Sequence, residues 1–136
     1  EGLPRGRKEG PGPLRGRWRV LLLIRDYVCD YVVVMCTSPP ESSGMLARSV
    51  VEERLAACVN ITQVRSTFLW KGEVKEEAED LLIIKTVTEK AEALAARIVS
   101  LHPYDLPEIV TLPMVGGDED YLSWISESVR GGQEGV

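Results

Sequence analysis

The chain has one imidazole, His102, the only side chain whose unperturbed titration lies near neutral pH. It stands in His102-Pro103-Tyr104-Asp105-Leu106-Pro107-Glu108. Asp105 follows at a distance that would let it orient the ring, and Tyr104 and Glu108 lie close in sequence. A hydrolytic centre would also need an activated nucleophile. The thiols are Cys29, Cys36 and Cys58. Cys58 sits in Ala56-Ala57-Cys58-Val59, apolar surroundings that predict an inert buried thiol rather than a low-pKa one. Side-chain nucleophilic catalysis therefore has no support, and the chain reads as a non-enzyme. A thiolate, an imidazole and carboxylates can together hold a borderline divalent ion such as copper or zinc, which makes Cys36 and His102 the candidate metal ligands. They are far apart in sequence, so only folding or assembly can bring them together, and the competing reading is a structural histidine beside a core thiol. Lys85, which interrupts the apolar run Leu81-Leu82-Ile83-Ile84, either points outward or pairs near a ligand. Trp70 and Trp124 read first as packing residues, Trp70 against a neighbouring subunit.

The elements that must position these groups follow from the hydrophobic pattern. Tyr31-Val32-Val33-Val34-Met35-Cys36-Thr37 is an unbroken β-branched run suited to a central strand. Ser38-Pro39-Pro40-Glu41 then predicts a helix start with Ser38 as capping hydroxyl, and Leu46, Val50, Val51 and Leu55 carry the helical period. Residues 57–70 return to strand composition, Lys71-Gly72 makes a tight reversal, and a second extended run reaches Thr88, which is expected to cap the next helix. Ala91, Leu94, Ala95, Ile98 and Leu101 mark that helix. The two prolines stiffen the His102–Glu108 loop. A fourth strand is expected over 109–115, and after Gly116-Gly117 the acids Asp118, Glu119 and Asp120 open a last helix through Val129.

The order βαββαβ plus a C-terminal helix implies an α+β ferredoxin-like sandwich. The β2-β3 arms are longer than a small core requires, so part of this hairpin should project and pair elsewhere. Residues 31–130 are read as the domain. Residues 1–30 are a basic extension rich in Gly, Pro and Arg, expected to be disordered at least to residue 19, and 131–136 a flexible tail. The formal charge of −5 conceals an asymmetry. Residues 1–30 carry seven Lys/Arg against four Asp/Glu, and the remainder nine against seventeen. An acidic domain is a poor partner for nucleic acid. The five-residue apolar run Val20–Ile24 is too short for a membrane span. Three cysteines without close metal spacing suit a reducing, cytoplasmic setting.

Several ordered blocks carry a resemblance: Tyr31 to Thr37 followed by Ser-Pro-Pro, Glu53-Arg54-Leu55-Ala56-Ala57-Cys58-Val59-Asn60, Leu69-Trp70-Lys71-Gly72-Glu73, Leu82-Ile83-Ile84-Lys85-Thr86, His102-Pro103-Tyr104, Pro107-Glu108-Ile109 and Asp120-Tyr121-Leu122-Ser123-Trp124-Ile125. Together they resemble the CutA divalent-cation-tolerance family in register from about residue 31 to 129. The resemblance implies a tight homotrimer whose long hairpins pair between subunits and leave lateral clefts. It further implies binding of copper or other divalent ions, with Cys36 and His102 matching the family's candidate ligands. An alternative is a small-molecule sensor like the PII signalling proteins, using Trp70, Lys85, Tyr104 and Glu108 at the cleft. The sequence departs from the pattern in its basic extension, and in Leu101, which stands where some members carry a second histidine.

Overall fold

The computed structural model describes residues 29–130, so the basic extension to residue 28 and the tail from 131 lie outside the described residues. Strand β1 (Tyr31–Ser38) is followed by helix α1 (Pro40–Glu52), strands β2 (Cys58–Trp70) and β3 (Glu73–Val87), a 3-10 turn over Thr88–Lys90, helix α2 (Ala91–Leu101), strand β4 (Ile109–Pro113) and helix α3 (Glu119–Val129). The four strands form one antiparallel sheet in the order β2-β3-β1-β4, the ferredoxin-like arrangement.

Strand alternation decides which residues meet the helices. Val32, Val34 and Cys36 of β1 and Leu82 and Ile84 of β3 face one way, into a core with Leu46 and Val50 of α1 and Leu94 and Ile98 of α2. The opposite face is covered only in part. There α3 sets Ile125 and Val129 against Val87 and Tyr31, whose hydroxyl lies 2.7 Å from Ser126 Oγ. Beyond that cover, Met35 stands between its register partners Ile83 and Val110, and Val33 between Lys85 and Leu112. This is an apolar row with Val110 47% and Leu112 43% exposed.

The hairpin turns on Lys71 (φ 53) and Gly72 (φ 82), both left-handed as a two-residue type I′ turn requires. β1 stops at the pair Ser38↔Asp80, whereas β2 and β3 continue from Val64↔Glu79 to Trp70↔Glu73 as a two-stranded ribbon. The over-long hairpin expected from the sequence is therefore present.

Four local expectations are corrected. Ser38 is the last residue of β1, held there by pairing with Asp80; Pro39 is the N-cap of α1, and no side chain caps it. Thr88 does not cap α2. It opens the 3-10 turn, and its hydroxyl donates to the Cys29 carbonyl at 2.6 Å. Helix α1 ends at Glu52 rather than Leu55, because Arg54 adopts φ 61 and turns the chain so that Leu55 N–H returns to Val50 O at 2.9 Å. β4 ends at Pro113, since Pro lacks the N–H to extend a ladder. Asp118 acts as the N-cap of α3, its carboxylate accepting from Tyr121 N–H at 3.0 Å.

Candidate functional site

Helix α2 must stop before His102 because Pro103 disfavours helical backbone in the residue preceding it. His102 is extended (φ −74, ψ 138), and its N–H still closes the helix on Ile98 O at 2.8 Å. The ring thereby lands on the carboxyl end of β1. Nε2 lies 2.7 Å from the Thr37 carbonyl, and Tyr104 N–H donates to Nδ1 at 3.1 Å. These partners assign the neutral tautomer with its proton on Nε2. Asp105, expected to orient the ring, is exposed, and backbone groups do that work instead.

Cys36 precedes Thr37 on the strand and its side chain is fully buried in the core. Its S–H donates to the same Thr37 carbonyl at 3.6 Å. The thiol and the imidazole, distant in sequence, thus meet at one oxygen atom. Around it lies a buried polar cluster. The Tyr104 hydroxyl donates to Glu79 Oε2 at 2.6 Å, and the Tyr104 and His102 rings are 4.9 Å apart. Ser43 of α1 donates to Asp80 Oδ2 at 2.6 Å, and the Thr37 hydroxyl to Glu108 Oε1 at 3.4 Å. Glu79, at 1% exposure, is as buried as the core leucines. Glu79 and Asp80 also border an open groove of about 500 Å³ with Pro40, Gln63 and Arg65. Among the described residues, no three His, Cys, Asp or Glu side chains come close enough together to hold a metal ion.

The residues picked from sequence separate into two sets. Cys36, His102, Tyr104 and Glu108 converge on the last residues of β1. Trp70 and Lys85 do not join them. Trp70 is at the hairpin tip, with Lys71 Nζ 6.0 Å from its ring centre, while Lys85 pairs with Cys58 at the far end of β2. At ~3.3 Å per strand residue, about 40 Å of ribbon separates them. Lys85 Nζ donates to Asn60 Oδ1, which resolves the lysine inside an apolar strand as a residue of the sheet's partly covered face.

Cys58 corrects the expectation of a buried thiol. It is half-buried, because it shares Lys85's face and not the core face. Tyr121 of α3 lies beside it, and its hydroxyl titrates above the ordinary tyrosine value, first through burial and then through the neighbouring Cys58. Trp124, expected to pack, is 44% exposed and stacks on Tyr121 at 5.6 Å.

Thr37, Ser43, Glu79 and Asp80 were not singled out from sequence. The available signal was two successive acids directly before Leu81-Leu82-Ile83-Ile84, a place where alternation puts one carboxyl on each face of a strand entering the core.

A family profile described as CutA1 divalent ion tolerance protein matches residues 31–128. The divalent-cation tolerance protein CutA of Pectobacterium atrosepticum is 42% identical over 105 residues, covering 76% of this chain and 96% of its own. Among solved structures, the periplasmic divalent cation tolerance protein CutA of Archaeoglobus fulgidus is 33% identical and superposes with a TM-score of 0.71, over 73% of this chain and 98% of its own. The PII-like protein CutA of a Nostoc species in its apo form is 38% identical with a TM-score of 0.70, over 72% of this chain and 96% of its own.

Proposed function

Because this chain belongs to the CutA1 divalent ion tolerance family, we propose that it works as a homotrimer binding copper or another divalent cation, with Cys36 and His102 among the ligands. The observation that carries the reading is the shared Thr37 carbonyl, on which both the thiol and the imidazole spend their donor hydrogens. A soft or borderline cation replaces that arrangement by taking Sγ and a ring nitrogen directly, and it releases the thiol proton as it binds. The ring's hydrogen bonds must open first and Cys36 is buried, so binding is weak. One protomer supplies too few ligands, which favours an ion held with help from a neighbouring subunit. The family description names tolerance of divalent ions and no reaction, in keeping with a binding protein and not an enzyme.

Assembly is supported by two features. The face carrying Val33, Met35, Ile83, Val110 and Leu112 is too apolar to stand open to water, and a two-stranded ribbon is marginal alone. Three-fold closure is what the family resemblance implies. Cys29 and Cys58, both outside any disulfide, agree with a reducing, cytoplasmic setting, although one relative is described as periplasmic. Among the described residues no helix is long and apolar enough to cross a membrane.

The test is calorimetric titration of metal-free protein with copper, zinc and magnesium, after the oligomeric mass is fixed by sedimentation. Saturable copper binding that disappears in the Cys36→Ala/His102→Ala double variant is expected. Unchanged binding in that variant sinks the ligand assignment.

A second reading has its own support. A structural relative is described as PII-like, and Trp70 and Lys85 are so far apart in one chain that a site using both, together with Tyr104 and Glu108, needs more than one subunit. Thermal-shift screening against nucleotides and small metabolites tests it, since a ligand at 100 times its Kd adds about 2.7 kcal/mol.

A further inference from the structure

The described domain is acidic, yet three of its few cations gather at one place. Arg54, Lys90 and Arg130 line a pocket of about 440 Å³ with a single carboxylate, Glu89, on its rim and Val87 and Val129 beneath. Elsewhere Arg48 pairs with Glu52, Lys75 with Glu73 and Arg97 with Glu53, while Lys71 lies over Trp70 and Lys85 bonds Asn60. At this pocket neither Arg54 nor Lys90 forms an ion pair with a described carboxylate, although Glu89 is at hand.

Two further features bear on what this pocket can hold. Helix α3 ends here, and its last carbonyls would repel an anion if left bare. Two of them are occupied, Ser128 O by Arg54 Nη1 at 3.0 Å and Ser126 O by Arg130 N–H at 3.1 Å. The Ser128 bond uses one edge of the guanidinium and leaves other N–H groups to donate. Arg54 is also held at φ 61, a left-handed conformation that costs a non-glycine residue about 1 kcal/mol. The turn it makes sets its side chain against the end of α3.

We propose that Arg54 and Lys90, with Arg130 alongside, form a binding site for a small multivalent oxyanion, the phosphate or polyphosphate group of a small molecule. The site is separate from the Cys36–His102 centre and does not depend on it. A guanidinium edge and an ammonium supply charge-assisted donors to phosphate oxygens, and the apolar floor excludes water behind them. Three cations against the one carboxylate Glu89 leave an excess of positive charge that a multivalent anion neutralises better than a monovalent one.

The experiment is calorimetric titration of the full chain with pyrophosphate, and separately with inorganic phosphate, at physiological salt. Saturable binding near one pyrophosphate per chain is expected, tighter than phosphate. Arg54→Gln and Lys90→Gln should each weaken it about tenfold or more, the usual scale for losing one charge-assisted hydrogen bond. Lys71→Gln, at the distant hairpin tip, should leave it unchanged. Absence of saturable pyrophosphate binding overturns the proposal, and so does an equal loss in Lys71→Gln, which would assign the heat to general charge attraction. If Arg54→Gln alters the circular dichroism spectrum or oligomeric mass, Lys90→Gln alone decides the question.

Discussion

The hydroxyl of Tyr104 should be worth far more than its single oxygen suggests. It donates to Glu79 at 2.6 Å, and both residues are 1% exposed. Tyr104→Phe keeps the ring and nearly all of its volume, so cavity terms stay small and the loss is that of a donor to a buried carboxyl. Losing one hydrogen bond to a buried carboxyl group costs about 1–3 kcal/mol. A loss of about 2 kcal/mol should lower the urea midpoint by roughly 1 M at an m-value near 2 kcal/mol/M, with the m-value itself unchanged. The second arm is Glu79→Leu, which removes the acceptor of the same bond instead. The double variant, apolar on both sides, should cost at least about 1 kcal/mol less than the two single losses added together. All four proteins must be compared at one protomer concentration, because association adds to apparent stability. A Tyr104→Phe loss below about 0.5 kcal/mol with additive behaviour in the double variant would refute the reasoning that this buried bond is a large contributor to stability.

The remaining predictions concern the backbone, the charges and the open face. Arg54→Gly and Arg54→Ala both remove the guanidinium, so their difference isolates the left-handed turn. Glycine should be the more stable by about 1 kcal/mol in urea unfolding, the reverse of the usual helix ranking. The Arg97 guanidinium, hydrogen-bonded to both carboxylate oxygens of Glu53, holds that carboxyl below its ordinary value. A depressed carboxyl contributes stability that is present above its unfolded value and is lost as pH falls through the folded one, so the pair should weaken in acid, while the raised Arg97 guanidinium keeps it intact until strongly basic pH. Arg97→Gln should return the Glu53 titration to the ordinary carboxylate range by NMR. On the partly covered face, Met35→Lys should shift sedimentation from the assembled to the monomeric mass while the protomer keeps its circular dichroism spectrum; an unchanged mass would clear this face of any part in assembly.

What was legible in the sequence was whatever the chain enforces locally. The β-branched run from Tyr31, the Lys71-Gly72 reversal and the proline-bounded loop after His102 all depend on residues a few positions apart. What escaped was decided at long range. Ser38 reads as a helix cap until Asp80 appears opposite it in the ladder and keeps it in the strand. The end of α1 carries no glycine to mark it, because arginine takes the left-handed position and the cost is offset by the hydrogen bonds of the turn and of its guanidinium to Ser128 O. Cys58 reads as buried from its apolar neighbours, yet strand alternation turns it to the face that α3 only partly covers. Glu79 and Asp80 look like the solvated part of an acidic strand. Their burial depends on Tyr104 and Ser43, which lie 25 and 37 residues away.

The same topology explains why the candidate site has two unequal halves. In the β2-β3-β1-β4 order, β1 is interior and ends early, so its carboxyl end is where α1, the α2–β4 loop and β3 all approach. Polar groups brought there are buried by neighbours on several sides and must satisfy one another, which they do through Thr37, Ser43 and Tyr104. β2 and β3 run on past that point with no third strand among the described residues. Among the described residues nothing encloses Trp70, and about 40 Å of ribbon separates it from Lys85. Any function that uses both ends of the hairpin is therefore expected only of assembled chains, whereas Cys36 and His102 meet at the Thr37 carbonyl within one protomer, even though a bound ion would draw further ligands from a neighbour. Conditions that dissociate the assembly without unfolding it should separate the two, abolishing a cleft-dependent response while leaving the Cys36–His102 geometry in place.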